Sequence, residues 1–196
     1  CDEVENEATW PVQLEALDPR IEALNFGVAA YGTDQALLRF RREGRALDAD
    51  VVCVGVLLEN IGRNVNRYRP LWFPGSGSAA AKPRFVLAKG VLELLPHGLA
   101  TQQELVDAIE DGSICARLAS GEYWLDKPDL GLLRHCAIAR LAGAFWADRE
   151  REVCKLWLDR TGEPYRTTLA LVEAFEREAR ASGVRTALIL VFPRKP

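Results

Sequence analysis

Methionine is absent from the 196 residues, histidine occurs only twice, and no two of the five cysteines have the Cys-x-x-Cys spacing of a metal clip. Cys1, Cys53, Cys115, Cys136 and Cys154 are odd in number and widely spread. That pattern argues against a zinc site and against a disulfide framework. Cys53, inside VVCVGV, is expected to be a small buried hydrophobe. With no methionine, Cys1 is expected to be either the lipidated first residue of a processed bacterial lipoprotein or a cut through a longer chain. No apolar run is long enough to span a bilayer. The best candidate, LGLLRHCAIARLAGAFW at 130–146, is interrupted by Arg134, His135 and Arg140. It reads as an amphipathic helix with Leu133, Ala137, Leu141 and Phe145 on one stripe.

Neither sign of charge predominates, with 25 lysines and arginines against 28 acidic residues. The net charge is −3 and no basic face stands out, so no nucleic-acid partner is expected. The run RFRREGR at 39–45 reads as the solvated end of a helix, because arginine favours helix C-termini. The glycines at 27 and 32 do not make Gly-x-Gly-x-x-Gly, and no Gly-Lys-Ser/Thr loop occurs, which disfavours a nucleotide. Ser76 in PGSGS lacks the preceding strand that a nucleophile elbow requires, and reads as linker. His97 lies in a turn, LLPHGL, and His135 on a helix, LLRHCA, neither with a partner at catalytic or metal-binding spacing. His135 and Cys136 are not a nucleophile pair, since adjacent helical side chains diverge. Neither a metal nor a cofactor is expected.

What remains is a soluble composition, 48% hydrophobic and 27% charged, in a chain long enough for one domain with a real core. Thr9 is placed to cap a short helix, WPVQLEAL, which tolerates Pro11 in its first turn. IEALNF at 21–26 reads as a first strand, and Asp34 as the cap of a helix, QALLRFRRE, closed by Gly44. VVCVGVLL at 51–58 reads as a second strand, apolar throughout, as expected when helices cover both faces of a parallel sheet. RFVLAKGVLEL at 84–94 predicts a hairpin turning at Lys89-Gly90. Thr101 and Glu104 predict a capping box ahead of a helix ended by Gly112. A helix at 167–181, stopped by Gly183, leads to a last strand, RTALILVF. The expected organisation is an α/β core at 1–62, an inserted mixed hairpin and helical cap at 63–160, and a return to the core at 161–196.

The chemistry is concentrated at two strand ends. LNFGVAAYGTDQ at 24–35 leaves the first strand through small residues, and the second empties into Glu59 and Asn60. Backbone N–H groups near Ala29–Tyr31 and the Asn60 amide are of the types that stabilise the oxygen of an attacked ester carbonyl. A plain tight turn with a helix cap behind it reads equally well.

NFGVAAYGTDQ and VVCVGVLLENI, each after a strand, resemble the second and third sequence blocks of the SGNH, or GDSL-type, hydrolases. The resemblance is to a bacterial subgroup with a large insertion after the third block. CDEVENEATWPVQLE resembles the stretch just after that family's Gly-Asp-Ser segment, and ALILVFPRKP resembles its fourth strand. The resemblance implies a flavodoxin-like three-layer parallel sheet and an acyl-serine mechanism without metal. The family's second-block glycine falls on Ala30 and its third-block Asn-Asp pair on Glu59-Asn60. Ala30, Asn60 and Glu59 therefore stand at the oxyanion positions, with Gly27, Tyr31 and Gly32 beside the substrate. Both blocks depart from the family pattern, and an ionised Glu59 can only accept. The serine and Asp-x-x-His blocks are lacking, so an inactive piece of an esterase is expected, in a periplasmic or other extracytoplasmic setting. The implied substrate is a small-molecule or carbohydrate ester. The alternatives are an O-acyltransferase acting on cell-surface polysaccharide and a non-catalytic binding module of the same fold.

Overall fold

A computed structural model describes residues 4–73, 79–99, 101–125 and 152–191. Ser76 and the amphipathic stretch at 130–146 lie outside the described residues. The chain forms two compact units, Cys1–Tyr31 and Gly32–Pro196.

In the first unit, helix α1 (Trp10–Leu17) begins as expected, with Pro11 in its opening turn where a missing N–H costs nothing. Thr9 is the N-cap residue, but its hydroxyl donates to the Asn6 carbonyl at 2.7 Å instead of accepting from the helix. The predicted strand at 21–26 does not form. An extended segment needs a neighbouring strand to take up its backbone groups. Here they are served locally: Ala23 N–H donates to Glu15 Oε1 at 2.8 Å, and Gly27 N–H to Asn25 Oδ1 at 3.0 Å. A tight turn comes next, closed by Tyr31 N–H donating to the Val28 carbonyl at 3.3 Å.

The second unit is mixed α/β. It begins with α2 (Thr33–Arg42), whose N-cap is Gly32 and not Asp34. Strand β1 (Val51–Leu57) pairs in parallel with β4 (Arg185–Val191), Val51 opposite Arg185 through Leu57 opposite Val191. Between them in sequence lie the short helices α3 (Asn60–Arg63) and α4 (Arg69–Trp72), and a hairpin of β2 (Arg84–Ala88) and β3 (Val91–Leu95). Helices α5 (Gln102–Glu110), α6 (Ile114–Leu118), α7 (Val153–Leu158) and α8 (Glu163–Ala181) complete the order.

Local chemistry explains several boundaries. The hairpin turns through Lys89 at φ 50° and Gly90 at φ 83°, both positive as a two-residue type I′ turn requires. Thr101 Oγ1 accepts from Glu104 N–H at 3.1 Å and caps α5. Helix α8 starts a turn earlier than expected, at Glu163, with Pro164 in its first turn. It ends at Gly183, φ 78°, where Gly183 N–H reaches the Arg180 carbonyl and Val184 N–H the Ala179 carbonyl, both at 3.0 Å. That Schellman arrangement reverses the chain straight into β4.

The main core joins Leu37 and Phe40 of α2, Val54 and Val56 of β1, Phe85 of β2, and Leu171, Ala174, Phe175 and Ala179 of α8. The hairpin thus contributes to the same core as β1. Phe40 and Phe175 pack with ring centroids 5.4 Å apart. Only one face of the β1–β4 pair is covered among the described residues. Val54 and Val56 face the helices, whereas Val51, Cys53 and Gly55 are exposed, as are Leu188 to Val191. The expectation of a buried Cys53 is therefore corrected. Alternation along β1 sends successive side chains to opposite faces, and α2 and α8 occupy just one of them, whereas at Leu188 to Val191 both faces of β4 are exposed.

Candidate functional site

Of the residues singled out in the sequence, Gly27, Ala30 and Tyr31 belong to the first unit, and Gly32, Glu59 and Asn60 to the second. Gly27 and Ala30 are exposed and Tyr31 is half-buried. Ala30 has φ 64°, the left-handed region that glycine enters freely and an L-residue enters at a cost of about 1 kcal/mol. Its N–H has no acceptor among the described residues. An alanine in this conformation is a strained turn residue, and such residues concentrate at functional sites.

In the second unit, the turn before α2 and the turn after β1 meet. A Cβ on Gly32 would lie 2.5 Å from Asp34 Oδ1 in its own turn, 3.1 Å from Asn64 Oδ1 and 3.5 Å from the Arg63 Cβ, so glycine eases this close approach. Gly32 N–H donates to Gln35 Oε1 at 3.2 Å, and Thr33 N–H donates to Asn64 Oδ1 at 3.0 Å. Asn64 in turn donates to Thr168 Oγ1 at 2.9 Å, tying α2, α3 and α8 through one buried amide. Asp34 is fully buried and ion-pairs with Lys82 while accepting from Gln35 N–H at 2.9 Å. Burial outweighs Lys82 and the backbone donors, and raises the Asp34 pKa above the ordinary carboxylate range.

Asn60 opens α3 directly beyond β1. It is buried, and its Oδ1 is shielded from water without a hydrogen-bond partner among the described residues. Its side-chain N–H groups likewise have no acceptor there. Glu59 is half-exposed and accepts from Arg63 Nη2 at 3.0 Å. Leu58 N–H donates to the Val191 carbonyl at 3.3 Å, which fixes the start of the turn at the ends of both parallel strands.

Indoles hold this turn from outside. Trp157 Nε1 donates to the Leu58 carbonyl at 2.8 Å, and Trp124 Nε1 to the Gly62 carbonyl at 3.0 Å. The Trp72 ring lies directly over Gly62 and stacks on Trp124 with centroids 4.6 Å apart. Gly62→Ala places a methyl into that ring. The expected cost is about 1–3 kcal/mol from overpacking, partly offset by about 1 kcal/mol of helix propensity. A fall of a few degrees in Tm, with a weaker near-ultraviolet signal from the stacked indoles, checks this.

Sequence reasoning missed Arg63, Asn64, Arg69 and the three indoles of Trp72, Trp124 and Trp157. The arginines were visible in ENIGRNVNRYRP, but α3 and α4 are too short to announce themselves by periodicity. His97 bonds the Ala81 carbonyl through Nε2 at 2.9 Å, in keeping with a structural role, and His135 lies outside the described residues. Among the described residues no group of acidic, cysteine or histidine side chains could hold a metal ion, and no helix is long and apolar enough to cross a membrane. Comparison of the chain with protein-family models, with characterised proteins and with solved structures gave no match.

Proposed function

We propose that the chain carries the oxyanion-donor part of an SGNH-type serine hydrolase domain, which in intact form cleaves an ester or removes an acyl group. The observation that carries this reading is Ala30. The residue that stands at the family's glycine holds the left-handed conformation glycine favours, with its N–H free to donate. Asn60 supports it, as a buried amide without partners among the described residues, beyond the carboxyl end of a parallel strand, where ligands of α/β sheets bind. On this reading the Asn60 amide takes the role of an oxyanion donor at the end of β1, in a sheet completed to the flavodoxin-like order, and the Ala30 N–H is the donor that the first unit supplies.

The sequence contains neither Gly-Asp-Ser nor Asp-x-x-His, so nucleophile and base are not in this chain. The chain alone is therefore expected not to hydrolyse nitrophenyl acetate. The decisive experiment uses the natural gene product. A fluorophosphonate is expected to label one serine outside the present sequence, and Asn60→Ala is expected to lower ester turnover by about 10²–10³-fold. An active product indifferent to Asn60→Ala, or a gene product that no fluorophosphonate labels, removes the proposal.

A non-catalytic binding module is the second reading. It is favoured by Glu59, whose carboxylate replaces a donor and is engaged by Arg63. Ligand binding by a gene product without acyl chemistry would select it.

A further inference from the structure

We propose that Arg63 and Arg69 form a binding site for an oxyanion, a carboxylate or phosphate group, beside Asn60. Packing brings their helices together. The Trp72 ring rests on Gly62, which packs α3, carrying Arg63 next to Gly62, against α4, carrying Arg69 one turn before Trp72, and the Arg69 charge acts on Arg63. Neighbouring α3 residues place this pair directly beyond the end of β1, where Asn60 leaves its amide unpartnered among the described residues.

Their hydrogen bonding sets these arginines apart. Every other arginine that is at least partly buried among the described residues is engaged. Arg39 bonds Glu43 and Arg41 bonds Glu178. Arg67 donates to the carbonyls of Leu118, Ser120, Pro96 and His97, and Arg84 to those of Val65 and Phe85 and to Glu163. Arg69 has no acceptor for its guanidinium among the described residues, and its Nε is buried. Its guanidinium carbon lies 6.0 Å from the centre of the Phe73 ring. Arg63 makes a single side-chain bond among the described residues, to the half-exposed Glu59.

The two arginines thus flank the Gly62–Trp72 contact and feel each other's charge, with a single carboxylate engaged by one of them. Burial holds the Arg63 pKa below its usual value, Glu59 opposes that, and Arg69 lowers it further. A buried donor without an acceptor is costly, and so are like charges brought together. An incoming oxyanion relieves both at once. The planar fork of arginine matches carboxylate and phosphate alike. Assigning this oxyanion to the substrate rests on the reading above, which would make that substrate an anionic ester. The site itself does not depend on it.

The test tracks the arginine Nε–Hε NMR signals of the chain during separate titrations with glucuronate, inorganic phosphate and neutral glucose. Saturable shifts of Arg63 and Arg69 with at least one anion and none with glucose are expected. A response to glucuronate alone assigns a carboxylate, and one to phosphate alone assigns a phosphate. Arg69→Gln and, separately, Arg63→Gln are each expected to weaken binding by about tenfold or more, as loss of a charge-assisted bidentate contact implies. Unchanged far-ultraviolet circular dichroism certifies the fold of both. Glu59→Gln, which removes the competing carboxylate, is expected to tighten binding. Silence of both arginines towards both anions, or affinity indifferent to both arginine variants, overturns the proposal. Anion binding by a gene product that lacks acyl chemistry keeps the site and ends only its assignment to an ester substrate.

Discussion

Glu122→Ala is expected to destabilise the protein by about 3–5 kcal/mol, because several buried donors lose their acceptor together. Glu122 is almost completely buried. Its Oε2 accepts from Arg67 N–H at 2.6 Å and Tyr68 N–H at 2.9 Å, and its Oε1 from Trp124 N–H at 2.9 Å. The Asn66 amide adds weaker contacts at 3.3 and 3.4 Å while donating to the Tyr68 carbonyl at 2.7 Å. One side chain thus takes the backbone donors of Arg67, Tyr68 and Trp124, while Tyr68 pairs with Ala81 in an isolated antiparallel bridge. Glu122→Gln separates charge from shape. One of its terminal atoms is an NH2 facing an N–H, so a smaller loss of about 1–3 kcal/mol is expected from a single unsatisfied donor. Urea unfolding of both variants measures these losses. A glutamine variant as damaged as the alanine variant would assign the effect to charge, and an undamaged alanine variant would rule out the network.

Lys82→Met should be as costly, and the cost should depend on pH. The Lys82 side chain is mostly buried and pairs with the fully buried Asp34 at the start of α2. Removing one partner of such a pair leaves an uncompensated buried charge, worth about 3–5 kcal/mol. The sign of the pH effect is set by the direction of the Asp34 shift. Folding raises its pKa above the unfolded reference of 3.8, so the folded state holds the proton more tightly. The stability that Asp34 contributes is full below the unfolded pKa and declines as pH rises towards the folded one. Without Lys82 the folded pKa rises further, and the decline extends to higher pH. The variant is therefore expected to lose more stability than the parent between about pH 5 and about pH 8. Adding Asp34→Asn should flatten that slope. Denaturant midpoints at the two pH values decide the matter, and a slope untouched by Asp34→Asn would place its origin elsewhere.

Both predictions concern contacts that span much of the chain. Asp34 and Lys82 are 48 residues apart, and Glu122 lies 55 residues from Arg67. No periodicity or turn signal announces such pairs. The sequence of the candidate site was legible only in part. Asn60 was readable as the residue leaving an apolar strand, because a continuous apolar run ending in polar residues marks the edge of a buried sheet. That its amide would be buried without partners depends on Trp124, Trp157 and Asn64 closing around the turn. The Ala30 turn was likewise readable from its small residues, but the sign of its φ was not, since alanine carries no local signature of left-handed backbone.

By itself, the sequence determined the hairpin at Lys89-Gly90, the Thr101 cap, the Gly183 stop, strands β1 and β4, and the arginine-rich end of α2. In each case the relevant groups lie within a few residues of one another, so backbone geometry and side-chain chemistry settle the outcome locally. Tertiary structure alone decided that 21–26 has no strand to pair with, that Gly32 and not Asp34 starts α2, and that Cys53 faces outward. Hydrophobic pattern tells which side of an element is apolar. What covers that side, and which distant charge reaches a buried carboxylate, is fixed only when the segments pack.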